Sequence, residues 1–456
     1  MKIIRKYILV SFSKILPLLF AVFLVPLANI FFESDKFVYF TTSFLVFTLI
    51  SSFDFGLGSF LLSKLEKIKE VQIKLFYSVL LVLFIFLGLW LIFTFNVVNY
   101  PAFHKSFGLL IFVSGFSQVI FNLVISIYNI NRELYFSSLF NVTNIFLKII
   151  TSIISIVIFK NVDLVFLSFG IINLIFCFYF FYYENTLLSS NFKDFYIFIR
   201  ELIPFGLMFI ISYLNSNYVK IFIQSYSSVM FSTYSILNSI SVIYLLVQST
   251  FSLFVLKALQ KERESAIRVL FFFLVLSILI YSFSFLILSY LNSYGWFNIF
   301  KPLQLPLINK LFSIVFSTSA FYSLQIIFFQ ISIFKENIRL YLIYALFFLI
   351  LAVPIFYFIL SNISLRGALI FEFFAIAFST ILLNYLVLKS SIFKIKSLII
   401  WIYFITTFCF FVNCILFIFG TFFLQLLFFM VTFCFYLIFG LYNWNKLQTL
   451  KLIYEF

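Results

Sequence analysis

Residues 141–158 read NVTNIFLKIITSIISIVI, an apolar run with a lysine, Lys148, near its centre. On a helix, which turns about 100° per residue, the polar side chains of this run fall within one arc of about 100°, and large apolar side chains cover the rest. The polar arc contains Asn141, Asn144, Lys148, Thr151, Ser152 and Ser155. The sequence therefore predicts a helix with a single polar face and a lysine at its middle.

The composition of the chain places this helix in a membrane. Of the 456 residues, 64% are hydrophobic and 10% are charged, and the mean hydropathy is +1.19, which exceeds what a soluble core could bury. Apolar stretches long enough to cross about 30 Å of hydrocarbon recur along the chain, and lipid leaves the backbone no partner outside a helix. We predict an all-α polytopic membrane protein with about fourteen transmembrane helices, at 8–31, 37–61, 75–98, 107–128, 137–159, 162–183, 202–223, 231–256, 269–291, 310–334, 340–360, 366–388, 398–419 and 421–442.

The basic residues predict the orientation of these spans. If the N-terminus is cytoplasmic, 21 of the 30 lysines and arginines fall in inner loops, 7 fall in outer loops, and only Lys14 and Lys148 lie within spans. Cytoplasmic loops are the ones enriched in lysine and arginine, so we predict that both termini are cytoplasmic. The net charge of +15 is then mostly a topology signal, and it requires no nucleic-acid partner.

A weak internal repeat predicts how the spans are grouped. The first span opens with KILP at 14–17 and the seventh with ELIP at 201–204, and IYNINRELY at 127–135 resembles IFKENIRLY at 333–341. We therefore predict a six-helix bundle over 1–190, a second over 191–390 and an additional helix pair over 391–456. Repeated bundles of this kind occur in transporters that rock between two faces of a membrane.

Lys148 is best explained by a polar cavity. A lysine that faces lipid at mid-span costs about 3 kcal/mol or more, whereas one on a water-filled surface avoids that cost. The residues expected to line the cavity are Lys148, Lys14, Asn122, Asn141, Asn144 and Lys220. Because cations exceed acids in the first bundle, we expect an anionic passenger. The alternative is that Lys148 pairs with Asp54 or Glu372, the acids placed inside spans, and only locks helices together.

Those two acids are also the candidates for energy coupling. Asp54 lies near the cytoplasmic end of the second span, and Glu372 lies within the twelfth, where protonation or ion binding would relieve its burial. The four cysteines lie within spans and lack metal-binding spacing. We predict no cofactor and no metal, apart from coupling to a proton or sodium gradient.

The segment SSFDFGLGSFLLSKL, at 51–65, resembles the aspartate-glycine signature of the Wzx-type O-antigen flippases. These belong to the polysaccharide-transport branch of the multidrug/oligosaccharidyl-lipid/polysaccharide exporter superfamily. The NRELYF turn and ELIPFGLMF at 201–209 are similar to that family too. Many relatives carry an aspartate before the basic residue in the seventh span, whereas Val219 precedes Lys220 here. The extra helix pair is similar to that of the fourteen-span members.

The resemblance implies a bacterial inner-membrane flippase of polysaccharide biosynthesis, for O-antigen (lipopolysaccharide), capsule or a similar glycan. Its passenger would be an undecaprenyl-diphosphate-linked oligosaccharide, carried from the cytoplasmic to the periplasmic leaflet by alternating access. Membrane lipid and the polymerase and chain-length proteins of the same pathway would be its other partners. Lys148 and Lys14 would attract the diphosphate, and the asparagines would bind sugars.

Two other classes fit parts of the sequence. A multidrug cation antiporter of the same superfamily shares the bundle plan, but its first bundle is expected to carry net negative charge. A membrane glycosyltransferase or polymerase could use Glu33 and Asp35 in the first outer loop. That loop is too short for the acceptor groove of such an enzyme, and we predict that the protein is not an enzyme.

Overall fold

The computed structural model describes residues 2–51, 80–89, 105–130, 134–184, 192–241, 305–334, 338–389, 407–412, 414–416, 418 and 430. Nearly all of these residues are helical. The long helices are α1 (Lys2–Phe31), α2 (Ser34–Ser51), α3 (Lys105–Ile130), α4 (Leu134–Ile153), α5 (Val162–Glu184), α6 (Phe192–Tyr226), α7 (Ser228–Ser241), α8 (Leu305–Phe334), α9 (Ile338–Asn362) and α10 (Leu365–Lys389).

Apolar length marks the chain as a multi-pass membrane protein. Within the described residues, five stretches are long and apolar enough to cross a bilayer: Gly108–Ser126, Phe136–Ile158, Val162–Phe180, Leu342–Asn362 and Leu365–Leu383. Each coincides with a predicted span. The predicted spans at 269–291 and 421–442 lie outside the described residues apart from Met430, and four others are described only in part. The number of spans and the cytoplasmic position of both termini therefore stay predictions.

The helices group into two compact units, Met1–Ser235 and Ile236–Phe456. The first unit contains α1 to α6 and the first half of α7, so it extends beyond the predicted boundary at 190. Hydrogen bonds within this unit join α2 to α7 and α6. Thr41 Oγ1 lies 2.9 Å from Ser232 Oγ on α7, and Gln224 Nε2 on α6 donates to Thr42 Oγ1 at 3.0 Å. The division into bundles at 190 and 390 stays a prediction.

In the first unit, α3 is the central helix and packs against α2 and α5, while α1 packs against α4. Small residues allow the close approach. A Cβ atom on Gly115 of α3 would lie 2.6 Å from Cγ2 of Ile50 on α2, and one on Gly170 of α5 would lie 3.0 Å from Oγ of Ser114. The Ser114 hydroxyl is 2.7 Å from the carbonyl oxygen of Phe166 on α5. Small residues and interhelical hydrogen bonds are what holds helices together in lipid.

Helix α4 ends in a π-helical turn, Ile154–Ile158, that the sequence did not predict. The chain leaves this turn through Lys160, whose φ of 47° lies in the left-handed region. The Asn161 amide then donates to the Ser155 carbonyl at 3.1 Å, and Asn161 Oδ1 accepts from the Asp163 amide at 2.8 Å. Asn161 therefore caps the start of α5.

In the second unit, α10 packs against both α8 and α9. Gln325 of α8 donates to the hydroxyl of Tyr344 on α9 at 2.9 Å, and the ring of Phe321 on α8 lies 6.0 Å from that of Phe373 on α10. The two matched turn sequences occupy the same place in each unit, between α3 and α4 and between α8 and α9. The predicted internal repeat stays a prediction.

Candidate functional site

The polar face of α4 points into the first unit. Asn144, Lys148 and Ser152 are 0%, 5% and 1% exposed, whereas Phe146 and Ile150 on other faces are 56% and 39% exposed. The helix thus turns its apolar side chains outward, as lipid requires, and its polar arc toward the neighbouring helices. The cavity predicted along this arc stays a prediction.

Lys148 lies among neutral side chains. Its Nζ donates a 2.6 Å hydrogen bond to Oε1 of Gln118 on α3, and it lies 5.6 Å from the ring centroid of Phe121 and 5.8 Å from that of Phe169. These distances suit cation–π attraction on two sides. Within the described ranges, no carboxylate pairs with Lys148.

A row of side-chain amides runs through this site and is called here the amide relay: Asn144, Asn173, Gln118 and Asn122. Asn144 Nδ2 donates to Asn173 Oδ1 at 3.1 Å, and Asn173 Nδ2 donates to Gln118 Oε1 at 3.1 Å. Gln118 Nε2 then donates to Asn122 Oδ1 at 2.9 Å. The relay begins at a fully buried asparagine and ends at an exposed one.

Two buried oxygen atoms beside Lys148 lack hydrogen-bond partners among the described residues. They are Asn144 Oδ1, one turn before the lysine on α4, and Ser152 Oγ, one turn after it. An unpaired buried oxygen costs free energy, so such groups call for an explanation.

The other predicted cavity residues lie in different surroundings. Asn141 Nδ2 donates to the carbonyl oxygen of Ser13 at 2.9 Å, which joins α4 to α1 next to Lys14. The Lys14 side chain lies outside what the structure describes. Lys220 lies on α6 and donates to Asn217 Oδ1 at 3.1 Å, so it is not part of the relay.

The two coupling candidates are separated in the chain. Asp54 lies outside the described residues. Glu372 lies on α10 in the second unit, where it is 6% exposed and interacts with its surroundings. It is the one buried acid among the described residues, as Lys148 is the one buried base.

Sequence reasoning missed three members of the site. Gln118, which accepts the hydrogen bond from Lys148, is not among the cavity residues that the sequence predicts. Asn173 and Ser117, whose hydroxyl accepts from Asn173 Nδ2 at 3.2 Å, are not among them either. Asn173 is the single amide in the apolar run FGIINLIFCF at 169–178. Polar residues are rare within spans and face the interior of a bundle, so this position could have been predicted as part of the site.

The arrangement can therefore hold positive charge in the interior of the first unit and present amide groups at an exposed end. Donor groups of this kind suit a polar or anionic molecule.

Comparison with solved structures identifies the fold. The chain is similar to a MATE in complex with MaL6, at 13% identity over 83% of this chain and 94% of the other, with a TM-score of 0.61. It is similar to an outward-facing multidrug resistance MATE family transporter of the MOP superfamily, at 12% identity over 83% and 93%, with a TM-score of 0.58.

A third similar structure is a MOP superfamily transporter from Pyrococcus furiosus Vc1 (DSM3638), at 13% identity over 83% of this chain and 93% of the other, with a TM-score of 0.54. That protein is described by a reverse polarity of its binding pocket, which suggests a different function for it. The sequence matches no protein-family model, and no curated protein matches it. The chain thus has the fold of the MATE transporters of the MOP superfamily.

Proposed function

We propose that the protein is a membrane transporter that works by alternating access, and that it flips an undecaprenyl-diphosphate-linked oligosaccharide from the cytoplasmic to the periplasmic leaflet of a bacterial inner membrane. The observation that carries the proposal is the buried, unpaired charge of Lys148. A diphosphate cannot cross hydrocarbon without neutralisation and hydrogen bonding. A cation without its own carboxylate is suited to attract that group.

The charges of the first unit support an anionic passenger. Among its described side chains, the acids Glu33, Asp35 and Asp163 are exposed, whereas Lys148 is buried in the polar cluster. Attraction between charges is strongest where water is excluded. The interior field of this unit is therefore positive over its described part.

The fold supports transport in general. Similarity to a transporter captured in an outward-facing conformation favours a mechanism in which the site faces the two sides of the membrane in turn. The MOP superfamily transporter with a pocket of reverse polarity is a precedent for this fold with a changed charge at the binding site. The lysine-centred cluster of the present chain fits such a change.

A multidrug cation antiporter is the second candidate. The similar structures favour it by fold, because one of them is a multidrug resistance transporter. The charge of the site argues against it, because a buried lysine repels a cationic drug and no described acid near it offers compensation. An antiporter would instead need a cation site of its own, and Glu372 is the one buried acid among the described residues.

Cells that express the chain can separate the two candidates. Deletion of the gene in its host is expected to abolish surface polysaccharide and to accumulate lipid-linked oligosaccharide on the cytoplasmic leaflet. Expression of Lys148→Arg is expected to restore appreciable output because the charge survives, and Lys148→Ala is not. Unchanged polysaccharide together with increased sensitivity to ethidium in the deletion strain would favour the antiporter.

A further inference from the structure

We propose that Lys148 fixes the hydrogen-bond direction of the amide relay, so that Asn122 presents its NH₂ group as a donor to the passenger's phosphate. In this role Asn122 is the contact residue, and Lys148 and Gln118 are positioning residues. The inference rests on the proposed function and deepens it, because it assigns the recognition of the anion to a particular group.

The ammonium group of Lys148 fixes the orientation of the Gln118 side chain. An ammonium group has three donors and no acceptor. At 2.6 Å from Lys148 Nζ, the side chain of Gln118 must therefore present its oxygen. Its nitrogen is then turned to the other side, where it meets Asn122. The charge at position 148 leaves Gln118 a single orientation.

The orientation of Gln118 in turn fixes that of Asn122, the exposed end of the relay. Because Gln118 Nε2 is a donor, Asn122 must face it with Oδ1, and the 2.9 Å bond has this arrangement. The NH₂ group of Asn122 is left over, and in the described part of the chain it has no hydrogen-bond partner. The exposed end of the relay is therefore a donor, which suits phosphate oxygens.

Asn144, the buried end of the relay, shows the same hydrogen-bond direction. Asn173 gives its nitrogen to Gln118 and so turns its oxygen to Asn144 Nδ2. Asn144 Oδ1 is consequently without a partner among the described residues. The opposite direction would give that oxygen a donor from Asn173, but it would place the nitrogen of Gln118 against Lys148. The lysine thus explains why the unpaired buried atom of Asn144 is its oxygen rather than its nitrogen.

A passenger can reach Asn122 but not Lys148. Lys148 is 5% exposed and its Nζ is enclosed by Gln118 and two phenyl rings, so its charge reaches a passenger only across other groups. Asn122 is exposed. On α3 it lies about 180° around the helix from the exposed Val113, so it belongs to a separate, polar face.

The test measures binding of geranylgeranyl diphosphate to the full-length protein in detergent, with geranylgeraniol as the uncharged probe. Gln118→Met keeps the charge of Lys148 but cuts the relay, and Asn122→Leu removes the donor. Each is expected to weaken diphosphate binding about tenfold, as the loss of a hydrogen bond to a charged group does. Neither is expected to change geranylgeraniol binding.

Two further variants control the result. Asn122→Gln retains the NH₂ group and is expected to bind within about threefold of wild type. Ser126→Ala lies one turn further on the same helix and removes a hydroxyl that donates only to the Asn122 carbonyl oxygen, so it is expected to bind like wild type. The double variant Gln118→Met/Asn122→Leu is expected to lose no more than either single one, because both break the same relay.

The outcomes distinguish the inference from the proposed function. Wild-type affinity in a well-folded Gln118→Met protein, or equal losses for Asn122→Leu and Asn122→Gln, would overturn the relay while the flippase proposal stands. Failure of the wild-type protein to bind geranylgeranyl diphosphate in preference to geranylgeraniol would overturn both.

Discussion

Replacement of Lys148 by methionine separates a functional charge from a structural one. The change removes the hydrogen bond to Gln118 and the contacts with Phe121 and Phe169. A charged hydrogen bond contributes about 1.5–3 kcal/mol and each cation–π contact about 0.5–2 kcal/mol. Burial of an unpaired ammonium costs several kcal/mol, which offsets these contributions. Gln118 Oε1 keeps Asn173 as its donor, so no new unpaired oxygen is created.

We therefore expect Lys148→Met to leave the thermal stability unchanged or slightly raised. If Lys148 instead locked helices by pairing with a buried acid, its removal would cost about 3–5 kcal/mol. Since 1 kcal/mol shifts the Tm of a domain by about 2–4 °C, that loss would lower Tm by about 6 °C or more. Thermal unfolding in detergent measures the difference, and Leu147→Met, on the exposed apolar side of α4, is the matched control.

The same substitution is expected to impair transport. The hydrogen bonds between Lys148 and Gln118 and between Gln118 and Asn122 measure 2.6 and 2.9 Å. An anion at Asn122 then lies roughly 8–10 Å from the ammonium, and at an effective dielectric constant of about 20 their attraction is about 2 kcal/mol, a factor of about 20–30 in affinity. A stable Lys148→Met protein with wild-type flipping would refute this reasoning. So would a protein destabilised by several kcal/mol.

Three further predictions concern packing, coupling and topology. Gly115→Ala would place a methyl group 2.6 Å from Ile50 Cγ2 and is expected to cost about 1–3 kcal/mol of stability, while Gly88→Ala, where nothing lies within 4 Å, should be neutral in thermal unfolding. If Glu372 couples transport to a gradient, Glu372→Gln should make flipping in vesicles insensitive to collapse of the proton or sodium gradient, and unchanged gradient dependence would return Glu372 to a structural role. Reporter fusions are expected to report cytoplasm at Lys67, Arg132, Lys261 and Lys394 and the outer side at His104 and Trp296; an inner signal at Trp296 would overturn the span count from the ninth span onward.

The sequence was most informative where one physical rule dominated. A polar helix face cannot be exposed to lipid without a high cost, so the polar arc around Lys148 could be assigned to the interior from its spacing alone. The same rule located α3, α5, α9 and α10 within a few residues. Helix α6 begins about ten residues before the predicted span, because hydropathy detects the lipid-crossing part and stops at Arg200 and Glu201, whereas the helix itself continues through them.

Contacts between helices could not be read in the same way. The partner of Lys148 is set by the packing of α3, α4 and α5, and nothing in the spacing along α4 identifies Gln118 or Asn173. The π-helical turn after Ile153 also lacked a signal, since ISIVI fits an ordinary helix equally well. Lys148 lies in a packed cluster that reaches the exterior of the unit at Asn122, and the water-filled surface beside it stays a prediction.

The most direct test of the account is translocation by the purified protein in liposomes. A fluorescent undecaprenyl-diphosphate-linked oligosaccharide in the outer leaflet, protected from a membrane-impermeant quencher only after flipping, reports the activity. We predict protein-dependent protection that is lost in Lys148→Met and retained in Leu147→Met. Absence of protection with the wild-type protein, together with uptake of ethidium that Glu372→Gln abolishes, would contradict the flippase and establish the cation antiporter.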